Sequence, residues 1–304
     1  MTVHSSTDSS AVVIRPARPA DQASSDGLPP LRPDGDGPRW RRTVVAERAG
    51  EVVGLASMQL DPVTENYLCE VVVAPAHRRA GIGTSLYGAA CQLLERPYRV
   101  QARAMARQPL RRLFAEALGC ELVRHHPEPW ADPTTTPWRQ WIDAHPVPDG
   151  HTALTLAEAD PAGVRRAWLQ YDEWSHAPVG PVRPHHLVDA WERYRSGLDA
   201  DTSTVVVEEA APEEVLAFCL VSAQQWEGRT LAVSETAAPD QEDGVAFLEA
   251  AVARTLLRLG ARGVRRVELE GHSDDPHFPV LVAGLPEHDA DPMDLLALRR
   301  PAAG

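Results

Sequence analysis

The side chains best suited to bind an anion lie in one stretch, VVVAPAHRRAGIGTSL, in which two arginines stand beside two glycines. These four residues are Arg78, Arg79, Gly81 and Gly83. The β-branched run before Pro75 predicts a strand that ends there, and the apolar spacing from Ile82 onward predicts a helix. Backbone N–H groups at the start of a helix attract negative charge. The stretch therefore predicts a phosphate site, with glycines that let the ligand approach because they lack a Cβ atom.

Two other phosphate-binding patterns fail on single residues. The dinucleotide fingerprint G-x-G-x-x-G requires a third glycine where Leu86 stands, and the P-loop requires a lysine, of which the chain has none. A strand-to-helix turn in which the glycines only permit tight geometry leaves Arg78 and Arg79 unexplained. A diphosphate ligand accounts for both the glycines and the arginines.

The motif V-x-P-x-x-R-R-x-G-I-G-x-x-L resembles the acyl-CoA signature of the GNAT N-acetyltransferase superfamily, whose core R/Q-x-x-G-x-G/A is matched by Arg78, Gly81 and Gly83. The resemblance covers about residues 11–126 and implies acetyl-CoA as the acyl donor. It implies that the pantetheine arm lies where the strand of the motif parts from the next strand, with an N–H near Val73 polarising the thioester. The donor-binding residues that it implies are Val71, Val73, Arg78, Arg79, Ala80, Gly81, Ile82, Gly83, Thr84 and Gln108.

The strand before the motif also holds the candidates for proton transfer. Many family members use a glutamate there as a base acting through ordered water, and the carboxylate inside this strand is Glu70. Glu70 serves as that base, or it points to solvent or to an arginine; Tyr67, near the family's usual position, orients the acceptor or belongs to the core. The tyrosine that protonates the leaving thiolate in many members falls on Ala115. Either the thiolate leaves without that acid, another group serves, or the domain is not a catalyst of the usual kind.

The hydrophobic pattern predicts the elements that would position these residues. Strands are predicted at 12–14, 43–47, 52–60, 67–73, 99–104 and 120–125, and helices at 83–94 and 110–118. This order predicts an α/β fold of the α+β kind, a mixed sheet with a largely antiparallel front. Residues 21–39 are rich in proline and glycine and predict a loop, whereas family members normally carry one or two helices there that wall the acceptor cleft.

The second half repeats this order of elements and predicts two GNAT-like domains in tandem. The expected parts are an N-terminal acyl-CoA-binding domain at 11–126, a Pro/Trp-rich connector at 127–150 and a degenerate copy at 151–300. Where the basic loop should recur, the copy has the acidic stretch PDQEDGVA, so it is not expected to bind CoA. We expect the copy to supply the missing cleft wall, with Glu235 as a candidate acid facing a cationic amine.

Charge and hydropathy argue against several classes of partner. Residues 1–150 carry 17 acids and 17 arginines, whereas residues 151–304 carry 26 acids and 13 arginines. Such a balance argues against nucleic-acid binding, which requires a basic face, and gives a weak preference for cationic small molecules. No apolar run reaches the ~18–20 residues of a membrane-spanning helix, and the N-terminus lacks the regions of a signal peptide. We expect no membrane partner and a cytoplasmic location.

Cysteine and histidine spacing predicts neither disulfides nor a metal. The four cysteines, Cys69, Cys91, Cys120 and Cys219, lie singly in apolar segments, as buried reduced thiols of a cytosolic protein do. The pairs His125–His126 and His185–His186 lack a third ligand at suitable spacing. We therefore expect no metal.

With these observations, the resemblance implies an N-acetyltransferase that moves an acetyl group from acetyl-CoA to a primary amine of a small molecule, as a monomer or homodimer. The alternative is a non-catalytic CoA-binding or scaffold protein of the same fold, which the residue at position 115 and the absent cleft helices favour.

Overall fold

The computed structural model describes residues 11–23, 28–225 and 228–301. The chain divides into two compact units. The first holds Met1–Arg103, Leu110–Glu121 and Leu296–Gly304, and the second holds Ala104–Pro109 and Leu122–Leu295. Two mixed sheets flanked by helices confirm the predicted mixed α/β class.

The first sheet is built mainly from the N-terminal third of the chain. Its strands are β1 (Val12–Pro16), β2 (Arg41–Arg48), β3 (Glu51–Leu60), β4 (Asn66–Val73), β5 (Arg99–Met105), β6 (Glu121–His126) and the last strand of the chain (Met293–Leu298). The helices α1 (Ile82–Cys91) and α2 (Pro109–Ala117) follow β4 and β5. Strands β1 to β4 pair antiparallel in sequence order, and β4 pairs with β5 in parallel. The antiparallel front is therefore confirmed.

The second sheet has its own set of helices. Its strands are β7 (Trp130–Ala131), β8 (His151–Thr155), β9 (Thr204–Glu208), β10 (Ala211–Val221), β11 (Thr230–Thr236) and β12 (Val267–Glu270), in the order β7-β12-β11-β10-β9-β8. The helices are α3 (Thr136–Ala144), α4 (Pro161–His176), α5 (Pro184–Arg195), α6 (Gly244–Ala261) and α7 (Phe278–Gly284). Phe218 packs in the cluster that includes α4, and its neighbour Cys219 packs in the cluster that includes α6. Because successive strand residues face opposite sides, helices cover both faces of this sheet.

The units do not coincide with the boundaries expected from sequence. Residues 127–150, expected to be a connector, contain β7 and α3 and lie in the second unit. The final strand, which we number β13, joins the first sheet between β5 and β6, although residues up to 300 were expected to belong to the copy. The six residues of β13, MDLLAL, are all buried, and a buried apolar run does not reveal which sheet it pairs with.

Residues 21–39 contain no α-helix among those that the structure describes. Short 3-10 turns lie at Pro19–Ala23 and Gly37–Arg39, and the described remainder forms no strand longer than a single bridge at Gly35. Leu28 and Leu31 pack against Val45 and Leu55 on the sheet. The loop prediction is confirmed for these residues; positions 24–27 lie outside the described part of the chain.

The first sheet has one face under α1 and one face turned away from it. A Cβ atom added at Gly54 would lie 3.1 Å from Leu86 Cδ1 of α1, so this position of β3 faces the helix. Ser57 is three residues further along β3 and lies opposite Glu70 of β4 in an unbroken register. Because alternate residues share a face, Ser57 and Glu70 face away from α1.

The remaining sequence expectations concern cysteines and membrane segments. All four cysteines are free. Cys69 and Cys219 are buried as predicted, and burial raises the pKa of both thiols, whereas Cys91 and Cys120 are half-buried. Within the described ranges we find no helix with both the length and the apolar character needed to cross a bilayer.

Candidate functional site

The loop between β4 and α1 combines unusual backbone angles with the start of a helix. A 3-10 turn at Pro75–His77 ends in Arg78, which is extended. Arg79 and Gly81 then have φ angles of 65° and 78°, in the left-handed region. These two residues turn the chain into α1 and leave Arg79, Ala80 and Gly81 exposed, whereas Ile82 is buried. The first N–H groups of α1 have no partner within the helix itself, so they can serve an anion.

Gly81 and Gly83 are glycines for different structural reasons. Gly81 requires its left-handed φ of 78°, and a Cβ atom added there would meet no described atom within 4 Å. A Cβ atom added at Gly83 would lie 3.2 Å from the ring of Phe114 on α2. The lack of a side chain at Gly83 thus also lets Phe114 pack against α1, and its service to ligand approach stays a prediction.

The two arginines also differ. The Nε atom of Arg78 donates a hydrogen bond to the carbonyl oxygen of Val73, 2.9 Å away. Arg78 thus ties the loop back to the end of β4. Arg79 is exposed and holds the strained left-handed turn. Both side chains add positive charge beside the helix terminus, but only Arg78 has a hydrogen bond to the strand among the contacts described.

Strands β4 and β5 part as the resemblance implies. Their parallel register joins Asn66, Tyr67 and Leu68 to residues 99–101, at the beginning of both strands. The N–H of Ala74 donates to Val53 of β3, and antiparallel bonds alternate along a strand. The N–H groups of Val71 and Val73 therefore point away from β3, into the opening beyond the paired residues.

The structure places the two proton-transfer candidates on opposite faces of β4. Glu70 is exposed on the face turned away from α1, and its Oε1 lies 2.7 Å from Arg111 Nη2 of α2. Tyr67 is 1% exposed on the α1 face, packed between the rings of Trp40 and Tyr98. Burial raises the pKa of the Tyr67 hydroxyl. Tyr67 is a core residue and does not share a site with Glu70.

Beside Glu70, the face turned away from α1 carries a row of polar side chains. Thr43 Oγ1 lies 3.5 Å from Ser57 Oγ, and Ser57 is in register with Glu70. Asp34 is hydrogen-bonded to Thr43 from the loop before β2. Reasoning from the sequence missed Asp34, Thr43, Ser57 and Arg111. The alternation of polar residues along β2 and β3 was the available signal, but the sequence does not say which face a helix covers.

Gln108 and Ala115 occupy the positions where the resemblance implies an asparagine and a tyrosine. Gln108 precedes α2 in a segment of the second unit, and its Oε1 is buried and has no hydrogen-bond partner among the described residues. Ala115 is 3% exposed on α2. Tyr87 is fully buried and donates to the carbonyl of Arg299. A core alanine, Ala115, therefore stands where the resemblance implies a tyrosine. That Gln108 helps to bind acetyl-CoA stays a prediction.

The second unit repeats the strand, loop and helix order at β11 and α6. Asp243, with a φ of 55°, precedes the first helical residue, Gly244. Gln241, Gly244 and Ala246 match the R/Q-x-x-G-x-G/A core, a match that reasoning from charge alone overlooks. The imidazole of His277 lies against Gly244, because a Cβ atom there would be between 2.5 and 2.8 Å from three ring atoms.

Glu235 is enclosed within the second unit. Its side chain is 0% exposed, and its Oε1 accepts a hydrogen bond from the Tyr171 hydroxyl at 3.2 Å. Burial is the largest cause that raises the pKa of Glu235 well above its ordinary value. The expectation that Glu235 is an accessible acid of a cleft wall is therefore wrong: it is a buried residue in a hydrogen-bonded cluster.

The described residues contain no group of three or more histidine, cysteine, aspartate or glutamate side chains arranged to hold a metal ion. His125 Nδ1 lies 2.7 Å from Asp294 Oδ1, and the rings of His126 and His272 meet edge to face with centroids 4.9 Å apart. His125 and His126 are thus both in contact with other side chains of the protein.

Comparison with known proteins agrees with this geometry. The model of the acetyltransferase (GNAT) family matches residues 19–120. No curated protein matches the sequence. A tandem GNAT protein from the clavulanic acid biosynthesis pathway is 18% identical, with a TM-score of 0.65 over 96% of this chain and 100% of that one.

Two further structures share the fold. A GCN5-related N-acetyltransferase from Sphaerobacter thermophilus is 18% identical, with a TM-score of 0.59 over 97% of this chain and 98% of that chain. A glucosamine N-acetyltransferase region of a fungal multi-domain GH3 β-N-acetylglucosaminidase is 14% identical, with a TM-score of 0.61 over 94% of this chain and 38% of that chain. The region that the acetyltransferase (GNAT) family model matches thus includes the loop and the strand opening of the first unit, and the whole chain shares its fold with a tandem GNAT protein.

Proposed function

We propose that the protein transfers an acetyl group from acetyl-CoA to a primary amine of a small molecule, with the donor held by the first unit. The observation that carries this proposal is the placement of the loop. Its two left-handed residues, Arg79 and Gly81, set the start of α1 beside the opening where β4 leaves β5. That arrangement offers N–H groups to a diphosphate at one end and to a thioester at the other.

The diphosphate of the donor would lie over residues 79–84. The N–H groups from Arg79 to Thr84 surround the helix start, where the partial positive charge of the helix adds to them. Arg79 supplies a guanidinium from an exposed position. Arg78 acts through its bond to Val73 and fixes the loop against β4.

The pantetheine arm would occupy the opening next to β4. The N–H groups of Val71 and Val73 point into that opening, so one of them can stabilise the negative charge that develops on the thioester oxygen. Arg78 Nε already bonds the carbonyl of Val73. At Val73 the strand can therefore offer its N–H group to acetyl-CoA, while its carbonyl oxygen already accepts a hydrogen bond from Arg78.

The chemistry requires one base at the acceptor. An ammonium loses a proton to the base, the free amine attacks the thioester carbon, and the carbon–sulfur bond breaks. The second amine proton leaves with the thiolate, which gives free CoA and an amide. Glu70 is the carboxylate on β4 that faces solvent, held by Arg111, and we assign it the role of base through water.

The row on the face turned away from α1 favours an amine acceptor. Thr43 and Ser57 offer hydroxyl groups, while Asp34 and Glu70 offer carboxylates. These oxygens can accept hydrogen bonds from an ammonium. Asp34 and, near Val45, Leu28 and Leu31 already pack on this face and Thr43 is 2% exposed, so Ser57 and Glu70 are its more accessible groups.

A second candidate function is donor binding without transfer. Ala115 favours it, because a core alanine stands where many family members place the acid for the leaving thiolate. Such a protein binds acetyl-CoA and releases no thiol when amines are added.

Calorimetry and thiol release test both candidates. Wild-type protein is titrated with acetyl-CoA beside Gly81→Glu, which adds a negative side chain at a left-handed position, and Gly88→Ala, a change elsewhere on α1. We expect saturable heat with wild type and Gly88→Ala and none with Gly81→Glu. Free thiol is then measured across a panel of small amines, polyamines and aminoglycosides. Binding without amine-dependent thiol release selects the non-catalytic candidate, and equal binding by Gly81→Glu contradicts the donor site.

A further inference from the structure

In the second unit the segment Gly271–Phe278, here called the strap, crosses the end of β11. β11 and β12 pair in parallel from Thr230–Val267 to Val233–Glu270. Beyond that register β11 continues through Glu235 and Thr236, while the chain leaves β12 as the strap and enters α7. The strap therefore lies where the two strands part, the counterpart of the opening beside β4.

Thr236 forms the first attachment of the strap. Its hydroxyl oxygen lies 3.0 Å from Nδ1 of His277, and the same hydroxyl lies 3.1 Å from the carbonyl of Ala238. Because the carbonyl can only accept, the hydroxyl donates to Ala238 and accepts from the His277 Nδ1–H group. This bond sets the imidazole against Gly244, at the first residue of α6.

Glu235, the neighbour of Thr236, forms the second attachment. Burial raises the pKa of Glu235, and the neighbouring Asp275 carboxyl group raises it further. Both residues are buried, at 0% and 4% exposed, and neither Glu235 Oε2 nor Asp275 Oδ2 has an N–H or O–H donor among the described residues. When neither of two neighbouring carboxyl oxygens has another donor, the two carboxyl groups can stay together only by sharing one proton.

The other oxygens of the pair have defined partners. Asp275 Oδ1 accepts from the backbone N–H groups of His277 and Phe278, at 2.6 and 2.7 Å. Glu235 Oε1 accepts from Tyr171 and lies 3.4 Å from His272 Nδ1. Asp275 Oδ1 is thus occupied by two backbone donors, and Glu235, whose pKa burial raises, is suited to carry the proton of the pair.

The charged and titratable groups around the pair and its two ring neighbours, Tyr171 and His272, come from α4, β12, the strap and β6. They are Tyr171, Asp172 and His176 from α4, Glu270 from β12, His272 from the strap, and Arg124 and His126 from β6. Tyr171, with its pKa raised by burial, stays neutral. Burial likewise lowers the pKa of His272, which stays uncharged and does not neutralise a second carboxylate.

We propose that the strap is a proton-held closure of the second unit: the proton shared by Glu235 and Asp275, together with the Thr236–His277 bond, keeps it over the start of α6. Loss of the shared proton places two carboxylates in contact and releases the strap. While it is closed, His277 fills the helix terminus that a ligand would otherwise approach. This inference goes beyond the proposed function, since it concerns the unit to which no transfer is assigned.

Amide hydrogen exchange of the full chain between pH 6 and pH 10 tests the closure. Protection of the strap amides is calculated relative to the unfolded chain at each pH, which removes the intrinsic pH dependence of exchange. In wild type we expect this protection to fall by up to about tenfold per pH unit once the pair loses its proton. In Glu235→Gln the amide donates to Asp275 without titrating, so protection stays constant over the same range.

Two further variants separate the attachments. Asp275→Asn keeps a donor and the acceptor for the two backbone N–H groups, and we expect the same flat profile if Glu235→Gln does not fold. Thr236→Val removes the other attachment, so protection falls by a similar factor at every pH while its pH dependence remains. Retention of the wild-type pH dependence in both amide variants overturns the proposal, as does constant strap protection in wild type. None of these readouts depends on acetyl-CoA, so they are independent of the proposed function.

Discussion

Arg78 and Val73 are joined by a hydrogen bond from the guanidinium Nε to the main-chain oxygen, 2.9 Å long. The bond connects the start of the basic loop to the last residue of β4, directly beside the opening between strands. It makes the loop and the strand end one structural piece. A change at Arg78 therefore disturbs the positions of backbone N–H groups, whereas a change at its exposed neighbour Arg79 removes charge alone.

This difference predicts distinct effects on donor binding. We expect Arg79→Ala to raise the Kd for acetyl-CoA about five- to tenfold, the loss of about 1 kcal/mol, and to make binding less sensitive to salt. Arg78→Ala should raise Kd more and should also loosen the loop, which is seen as faster hydrogen exchange in residues 78–84. Calorimetry at two salt concentrations measures both. Identical effects of the two variants on Kd and on exchange contradict the assigned roles.

The contact between Gly83 and Phe114 predicts a coupled change in stability. Alanine is favoured over glycine within a helix by about 1 kcal/mol, but a Cβ atom at Gly83 would lie 3.2 Å from the Phe114 ring. Gly83→Ala should therefore gain little stability in wild type and about 1 kcal/mol in a Phe114→Ala background. Gly88, also on α1, has open space beside it. Gly88→Ala is the control and should gain about as much in both backgrounds. Urea unfolding measures wild type and the five variants, and equal gains at Gly83 in the two backgrounds contradict the packing role.

Much of the first unit is predictable because its signals are local. Pro75 ends the strand, Gly81 marks the turn into the helix, and Ala49–Gly50 marks the hairpin between β2 and β3, where both residues have positive φ. The helix was expected at 83–94 and the structure has Ile82–Cys91. The next proline, Pro97, lies six residues after Cys91, so it does not mark the last turn and the sequence predicts too long a helix.

Long-range choices were not predictable. Strand parity indicates that Tyr67 and Glu70 face opposite ways, but only the packing of α1 shows that Tyr67 lies on the covered side. The destination of β13 depends on which strand edges are open, and that is decided by the whole fold. Nothing in the sequence distinguishes Glu235 from the other acidic residues, because its burial depends on the helices that pack on β11.

Asp21 provides a pH-dependent contribution to the stability of the first unit. Arg15 holds it with two hydrogen bonds of 2.8 Å, and hydrogen bonding to that guanidinium is the largest cause that lowers the pKa of Asp21 to about 2. A lowered pKa in the folded state means that the stabilisation is present above the unfolded value near 4 and is lost as pH falls toward 2. Asp21→Asn should therefore cost about 1–2 kcal/mol at pH 7 and little at pH 2. Hydrogen exchange of the β2 amides reports this unit alone.

Asp36 is the matched control for this measurement. It pairs with Arg42 at 2.7 Å, but its side chain is 86% exposed, and such surface pairs contribute little. Asp36→Asn should leave exchange in β2 unchanged at both pH values. A loss at Asp21 that persists at pH 2 would show that the variant acts through packing and not through the ion pair.

Glu70 gives the prediction that bears most directly on catalysis. As the base for the amine it should be required for turnover and not for donor binding, because it lies on the face turned away from α1 and one residue before the N–H of Val71. Glu70→Gln keeps the shape of the side chain and a hydrogen bond to solvent but cannot accept the proton. We expect kcat to fall about 10²–10⁴-fold, with the Kd for acetyl-CoA within about twofold of wild type.

Arg111→Gln is the control, since it breaks the same 2.7 Å ion pair and leaves the carboxylate in place. If the ion pair only holds the strand and α2 together, both variants lose the same stability and the same activity. If Glu70 is the base, Arg111→Gln keeps most of the turnover, because the carboxylate that takes the proton is still there. Thiol release with the best amine of the panel, read at saturating acetyl-CoA, distinguishes the two, and an unchanged kcat in Glu70→Gln assigns the proton transfer to another group or to solvent.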